Sequence, residues 1–390
     1  MVIAQSGGPS MVINQSLVGA VLAAKECKTI GKILGAVHGI DGILNENFID
    51  FKKIPNKKLE VVAATPSSAL GSVRKKPKED DCIKIFEVLK KHNVGYFFYI
   101  GGNDSAETTY IISEMAKKNK VDLCCFHIPK TIDNDLRQND HTPGFGSAAR
   151  YIALAFMGDN LDNLALGGVK INIVMGRHAG FLTAASALAR QHADDGPHLI
   201  YLPECTFSIE KFIKDIKVVV AKLGRCVVAV SEGICDKDGT PIVATLGSSE
   251  KDSHGNIQLS GSGALGDLLA TAVKSKLGIS RVRADTFGYI QRSFPVAASE
   301  IDSKEAFEVG VAALTVAVSE KVNSGSIAIK RKNQNKYDVE YFCVPLKSVA
   351  KKTQHIPTKF ISKSKNDVTD AFVEYVKPLI GDLPEMGRLI

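Results

Sequence analysis

The sequence predicts an α/β chain of two lobes, each built on a mostly parallel sheet, followed by a C-terminal extension. Short apolar runs alternate with amphipathic segments from the first residue onward, the pattern of β-α units feeding a parallel sheet. At 390 residues the chain exceeds what one hydrophobic core usually serves, so two domains are expected. With 45% hydrophobic and 23% charged residues the chain has the balance of a folded enzyme, not of a disordered segment.

The elements follow in order. Apolar runs rich in Val and Ile predict strands at 2–5, 32–38, 95–100, 122–128, 169–175, 198–202, 226–231 and 282–289, with helices between them. Residues 10–25 carry Val12, Ile13, Leu17, Val18, Val21 and Leu22 at three-four spacing, which marks one apolar helix face. A second such helix opens at Ser208, a good N-cap, carries Ile209, Phe212, Ile213, Ile216 and Val220, and stops at Gly224. One lobe is expected at about 1–143 and the other at about 144–290, with the chain returning to the first near Gln291. The extension, 302–390, should hold a helix over 307–322, a two-stranded ribbon around 332–336 and a last helix over 367–376. Ligands of such sheets bind at the carboxyl ends of the strands, where loops and helix N-termini collect.

Composition excludes several functions. No stretch reaches the ~18–20 uninterrupted apolar residues of a membrane span, and the opening MVIAQSGGPS lacks the regions of a signal peptide, so a cytoplasmic chain is expected. Eight cysteines lack metal or disulfide spacing and read as reduced and mostly buried. The net charge of +7 is spread widely, with no Trp and no aromatic-basic stripe, which argues for small anionic ligands over nucleic acid.

Three stretches carry chemistry. In QSGGPSMVIN, residues 5–14, Gly7 and Gly8 let the backbone turn and present N–H groups to an anion, though a tight turn without a ligand reads the same way. Arg74, in GSVR, supplies a guanidinium suited to phosphate oxygens, or belongs to the solvated charged run that follows it. PKTIDND, residues 129–135, sets Asp133 and Asp135 beside Lys130 and Thr131 directly after a strand. That grouping makes a poor core and a good site for taking a proton from a hydroxyl beside a phosphoryl group; an Asx-rich turn is the bland alternative.

PKTIDND together with GGNDS (101–105), MGRHAGFLT (175–183), SEG (231–233) and GYIQR (288–292) resembles the phosphofructokinase family, in order and spacing, from about residue 4 to about 295. The resemblance implies two Rossmann-like lobes and phosphorylation of the 1-hydroxyl of fructose 6-phosphate. It implies Asp133 as general base with Thr131 and Ile132 beside it, Asp135 as support for the loop and for the metal, and Arg177 stabilising the transferring phosphoryl group. Met175, Gly176, Arg177, Glu232, Arg283, Tyr289 and Arg292 would hold the sugar phosphate; without the family, Glu232 and Tyr289 read as ordinary cleft-edge or core residues.

Within that family ATP users carry glycine where this chain has Asp104. A carboxylate there adds bulk and repels the α-phosphate by several kcal/mol at ~4 Å and an effective dielectric near 20. The resemblance therefore implies the pyrophosphate-dependent branch, with Gly7, Arg74, Gly102, Asp104 and Lys130 on pyrophosphate and Lys130 neutralising the departing phosphate. ATP dependence and a non-catalytic regulatory subunit are the competing readings. Mg²⁺ is the implied cofactor, and Asn103 stands where relatives have a metal-linked aspartate; its amide oxygen can ligate but brings no charge. A homodimer or homotetramer is implied, because relatives build the sugar site across a subunit interface. The expected interface arginine is not apparent, and Lys170 is the candidate in its place.

Overall fold

Val2–Gln5 forms strand β1 with no exposed residue, and its side chains alternate between two cores, Ile3 on one face of the sheet and Val2 and Ala4 on the other. A computed structural model describes residues 1–246, 262–319, 322–332 and 336–389. The chain continues through α1 (Ile13–Glu26), β2 (Leu34–Ala36), α2 (Gly39–Leu44), β3 (Phe48–Asp50), α3 (Asn56–Ala63), α4 (Glu79–Lys91), β4 (Tyr96–Gly101), α5 (Asn103–Lys118) and β5 (Cys124–Pro129). Next come α6 (Phe145–Leu166), β6 (Gly168–Val174), α7 (Phe181–Ala185), β7 (Leu199–Tyr201), α8 (Ile209–Leu223), β8 (Arg225–Ser231), α9 (Ala264–Leu277) and β9 (Val282–Thr286). It ends with α10 (Glu300–Ser319), β10 (Ser324–Arg331), β11 (Val339–Val344), α11 (Leu346–Val349) and α12 (Asp370–Ile380).

Two compact units result, one from Met1–Ser147 with Arg292–Gln354, the other from Ala148–Gln291 with His355–Ile390. The extension expected as a separate part is thus divided between them, because α10, β10 and β11 belong to the first unit's sheet layer and α12 packs with the second.

The first unit's sheet has the order β11-β10-β5-β4-β1-β2-β3, parallel through its centre and antiparallel at both margins. One face is covered by α1 and α10, the other by α2, α4 and α5. Helices α1 and α10 touch backbone to backbone: a Cβ on Gly19 would lie 2.2 Å from the Phe307 carbonyl oxygen, and one on Gly310 2.2 Å from that of Ser16. Only glycine permits that approach. The expected ribbon is the β10–β11 pair, while part of its tip, residues 333–335, lies outside the described residues.

The second unit's sheet, β7-β8-β6-β9, is parallel throughout. Its α8 forms as its caps dictate: Ser208 Oγ accepts from the Lys211 N–H at 3.3 Å, and Gly224 closes the helix at φ +72°. Strand β9 stops at Thr286, short of the expected 289, because Gly288–Arg292 winds into a 3₁₀ turn. Helix α10 starts seven residues before the expected 307, and α12 runs over 370–380 in place of 367–376. All eight cysteines are free thiols, four of them buried and four half-buried. No described helix is long and apolar enough to cross a membrane.

Candidate active site

In the first unit, β1 runs into Ser6, Gly7 and Gly8, and α1 opens only at Ile13, three residues later than the periodicity predicts. The intervening loop turns at Gly7, whose φ of +74° disfavours any residue with a Cβ. Ser72 Oγ donates to the Gly7 carbonyl at 2.6 Å and so ties this loop to the segment carrying Arg74, which is itself exposed. Arg292 lies against the same loop: a Cβ at residue 8 would sit 2.9 Å from its Nη1. The expectation grouped Arg292 with the sugar-phosphate contacts; within its unit it stands with Gly8 and Lys130.

Lys130 follows β5, is buried, and donates from Nζ to the Gly8 carbonyl at 2.5 Å. Burial, then the charges of Arg292 and Arg74, lower its pKa to about 8, against the opposing pull of Asp133 and Asp135. The loop, the lysine, two arginines and two carboxylates therefore act on one another within this unit.

Strand β4 ends at Gly101, Gly102 is extended, and α5 begins at once with Asn103. In its first turn the Ser105 N–H bonds back to the Gly102 carbonyl at 3.1 Å, and the helix dipole makes that end favourable to anions. Asp104 stands exposed in this first turn. The Gly101 carbonyl is held by His127 Nε2 at 2.8 Å, and burial lowers that imidazole's pKa to about 4, keeping it neutral. His127 escaped the sequence reading, although a histidine inside the apolar run LCCFHI was a visible signal.

Beyond Lys130 the Thr131 Oγ1 accepts from the Asp133 N–H at 3.1 Å, and Asn103 Nδ2 donates to Asp135 Oδ2 at 2.6 Å. Burial and the neighbouring Asp133 charge push the Asp135 carboxyl well above the usual carboxylate range. Asn103 Oδ1 is buried with no hydrogen-bond partner. Ile132 is buried as well.

In the second unit, β6 ends just before Met175 and Gly176, and β8 just before Glu232. These strands are neighbours, so the two loops emerge side by side. Ser231 Oγ donates to the Gly176 carbonyl at 2.6 Å, and the Gly176 N–H donates to Glu232 Oε1 at 3.5 Å. A Cβ on Gly233 would lie 2.1 Å from the Arg177 carbonyl oxygen, which requires glycine after Glu232. Gln291, which the sequence did not single out, accepts from the Met175 N–H at 3.2 Å through Oε1 and donates to the Gly288 carbonyl at 2.7 Å. It thereby links MGR to the turn bearing Tyr289, a side chain 44% exposed.

Arg283 is not gathered with this group. It is exposed on β9, the sheet's edge strand, in register with Lys170, five residues before Met175. That is roughly 16 Å along a strand. Lys170 is engaged by Asp285 and, at 3.5 Å, by Asp159.

A glycine-lined turn and a long helix's N-terminus, with a buried lysine and paired carboxylates beside them, are the equipment of an α/β phosphotransferase. The chain belongs to the phosphofructokinase family, whose model, described as "Phosphofructokinase", matches residues 1–317. It is 55% identical to the pyrophosphate–fructose 6-phosphate 1-phosphotransferase of Rhodospirillum rubrum, over 100% of this chain and 96% of that one. It is 39% identical to the enzyme of the same name from Xanthomonas campestris pv. campestris, over 98% and 91%. The crystal structure of a pyrophosphate-dependent phosphofructokinase from Marinobacter aquaeolei superposes with a TM-score of 0.87 at 32% identity, covering 99% of this chain and 93% of that one.

Proposed function

We propose that this chain transfers a phosphoryl group reversibly from pyrophosphate to the 1-hydroxyl of fructose 6-phosphate, giving fructose 1,6-bisphosphate and phosphate. The observation that carries the donor choice is Asp104 in the first turn of α5, beside a phosphate-binding set that includes Lys130 at the Gly8 carbonyl. A diphosphate needs room for two phosphates only, whereas a nucleoside triphosphate must bring a third past a fixed negative charge.

Asp133 accepts the proton of the 1-hydroxyl as its oxygen attacks the terminal phosphorus, and the bond from that phosphorus to the bridging oxygen breaks. Thr131 holds the Asp133 backbone, while Asp135, anchored by Asn103, shapes the loop. Lys130, Arg74, Gly7 and Gly102 take the pyrophosphate; Lys130, with a pKa lowered to about 8, neutralises the departing phosphate. Arg177 stabilises the transferring group. Met175, Gly176, Glu232, Tyr289 and Arg283 hold the sugar phosphate, Arg292, packed on the Gly8 loop and acting on Lys130, serves the phosphates on its own unit, and Ile132 shapes the loop that carries Asp133. The exposure of Arg283, so far along the strand from Met175, supports a sugar site completed by a second copy in a homodimer or homotetramer; the proposed place of action is the cytoplasm.

Among the described residues no cluster of three or more His, Cys, Asp and Glu marks a metal centre. The residues nevertheless fit a hard cation: Asn103 Oδ1 is a buried oxygen without a partner, and Asp104, Asp133 and Asp135 supply carboxylate oxygens on the same unit. Asn103 with Asp104 or Asp133 would hold Mg²⁺, which when bound disperses the negative charge of the phosphates.

A coupled assay comparing donors tests the reading. Turnover with pyrophosphate and none with ATP is expected, with Asp133→Ser lowering kcat by ~10² to 10⁴ at little change in sugar affinity. Turnover with ATP alone would reject the donor, and near-normal turnover of Asp133→Ser would remove that residue from the role of base.

A further inference from the structure

The loop that bears Thr131, Asp133 and Asp135 folds back on itself, and its return limb forms the support for its outgoing limb. Thr131 bridges Gly144, with its N–H donating to the Pro143 carbonyl at 3.2 Å. Thr142 Oγ1 donates to the Thr131 carbonyl at 2.9 Å, and the Thr142 N–H donates to Asn134 Oδ1 at 3.0 Å. Where the return limb sits therefore sets where Asp133 sits.

The return limb is gripped by α10 and the β10–β11 ribbon, segments without any motif. His141 is 2% exposed and lies between two carboxylates, Asp140 Oδ1 at 2.8 Å from Nδ1 and Glu305 Oε2 at 2.5 Å from Nε2. Tyr337 donates to the other Glu305 oxygen, Arg331 Nη2 lies 3.0 Å from Asp140 Oδ1, and the Asp140 N–H donates to the Ile329 carbonyl at 2.8 Å. Three residues before Glu305 on the same helix, buried Asp302 accepts from the Gly144 N–H at 2.8 Å and from the Ser147 N–H at 2.9 Å. One turn of α10 thus holds the limb at two points.

We infer that Glu305, acting through His141, is a positioning residue for the general base: a doubly bonded imidazolium fixes the return limb and with it Asp133. The inference rests on the phosphotransferase reading above. A ring that donates from both nitrogens must carry its proton, since a neutral ring would turn a lone pair toward one carboxylate. The flanking carboxylates raise the His141 pKa to about 9 in spite of burial, so the clamp is closed at neutral pH. Among the described residues the charged and titratable groups facing it are Asp140 from the loop, Glu305 and Asp302 from α10, Arg331 of β10, Tyr337, and Tyr341 of β11, whose hydroxyl burial and the Glu305 charge push up.

Steady-state kinetics of the full chain with pyrophosphate and fructose 6-phosphate, across neutral to alkaline pH, test this. Glu305→Gln keeps the shape and removes the charge. It should lower kcat by about tenfold to a hundredfold while both KM values stay within about threefold. The ratio of variant to unmodified kcat, in which the Lys130 titration near pH 8 cancels, should fall as pH rises from neutral toward 9, and Glu305→Asp should recover part of the loss. Imidazole nitrogen NMR of the unmodified protein should show His141 doubly protonated at neutral pH. A variant with lowered melting temperature but unchanged kcat and pH profile would reduce Glu305 to a structural role, and a neutral His141 would overturn the clamp even if the variants fail to fold. No turnover by the unmodified enzyme would overturn the functional reading instead, a result distinct from both.

Discussion

In the proposed reaction the choice of donor turns on one side chain, Asp104. At ~4 Å and an effective dielectric near 20, two like charges repel by about 4 kcal/mol, or roughly a thousandfold in binding. Asp104→Gly removes both the charge and the bulk from the first turn of α5, so calorimetry should detect ATP binding to the variant and none to the unmodified chain, and kcat/KM with pyrophosphate should fall. A variant that still ignores ATP would mean that the nucleotide is refused elsewhere. Asp104 and Lys130 were legible in the sequence because each belongs to a short strand-end motif whose chemistry is local. His141 and Gln291 were not. Gln291 meets Met175 across a separation of 116 residues and His141 meets Glu305 across 164, distances over which no local pattern in one sequence reports contact.

At the scale of elements, strands and amphipathic helices declared themselves wherever burial alone decides them. Thus β1 and α8 fall where alternation and caps place them. Two of the discrepancies fall at turns, where backbone geometry outweighs periodicity: α1 is delayed by the Gly7 loop, and β9 is cut short by the Gly288–Arg292 turn. The clamp between α10 and the loop over 131–144 adds a pH dependence to stability. His141 has a folded pKa raised to about 9 from an ordinary value of 6.5. Its stabilisation is therefore complete below about pH 6.5 and is lost as pH rises through about 9. Lys130, lowered from 10.5 to about 8, works the other way: stability rises as pH climbs from about 8 to about 10.5. Comparing denaturant midpoints of the unmodified chain and His141→Gln cancels the lysine contribution. The gap between them should be widest near pH 6.5 and narrow by pH 10. A gap independent of pH would show that His141 contributes packing and not charge.

On the scale of the whole molecule, the last ninety residues are divided between two units that each close only when the chain returns to them. For the second unit that return is residues 355–390. Within them the Ile356 N–H donates to Glu204 Oε1 at 2.9 Å, the Asn366 carbonyl accepts from the Ile200 N–H at 2.8 Å, and Asp367 pairs with Arg190 at 2.9 Å. Phe372, Val376, Leu379 and Ile380 of α12 are fully or almost fully buried. Burying four such side chains contributes on the order of 6–12 kcal/mol, comparable with the whole stability of an ordinary domain. A chain ending at Gln354 retains every residue assigned to the reaction and the entire first unit, yet its second unit should not hold its fold. Limited proteolysis should cut that chain within 148–291 under conditions that leave the full chain intact there, and sugar-phosphate binding should be lost with it. Equal protection of 148–291 in both chains would show instead that the returning segment only decorates a unit already stable without it.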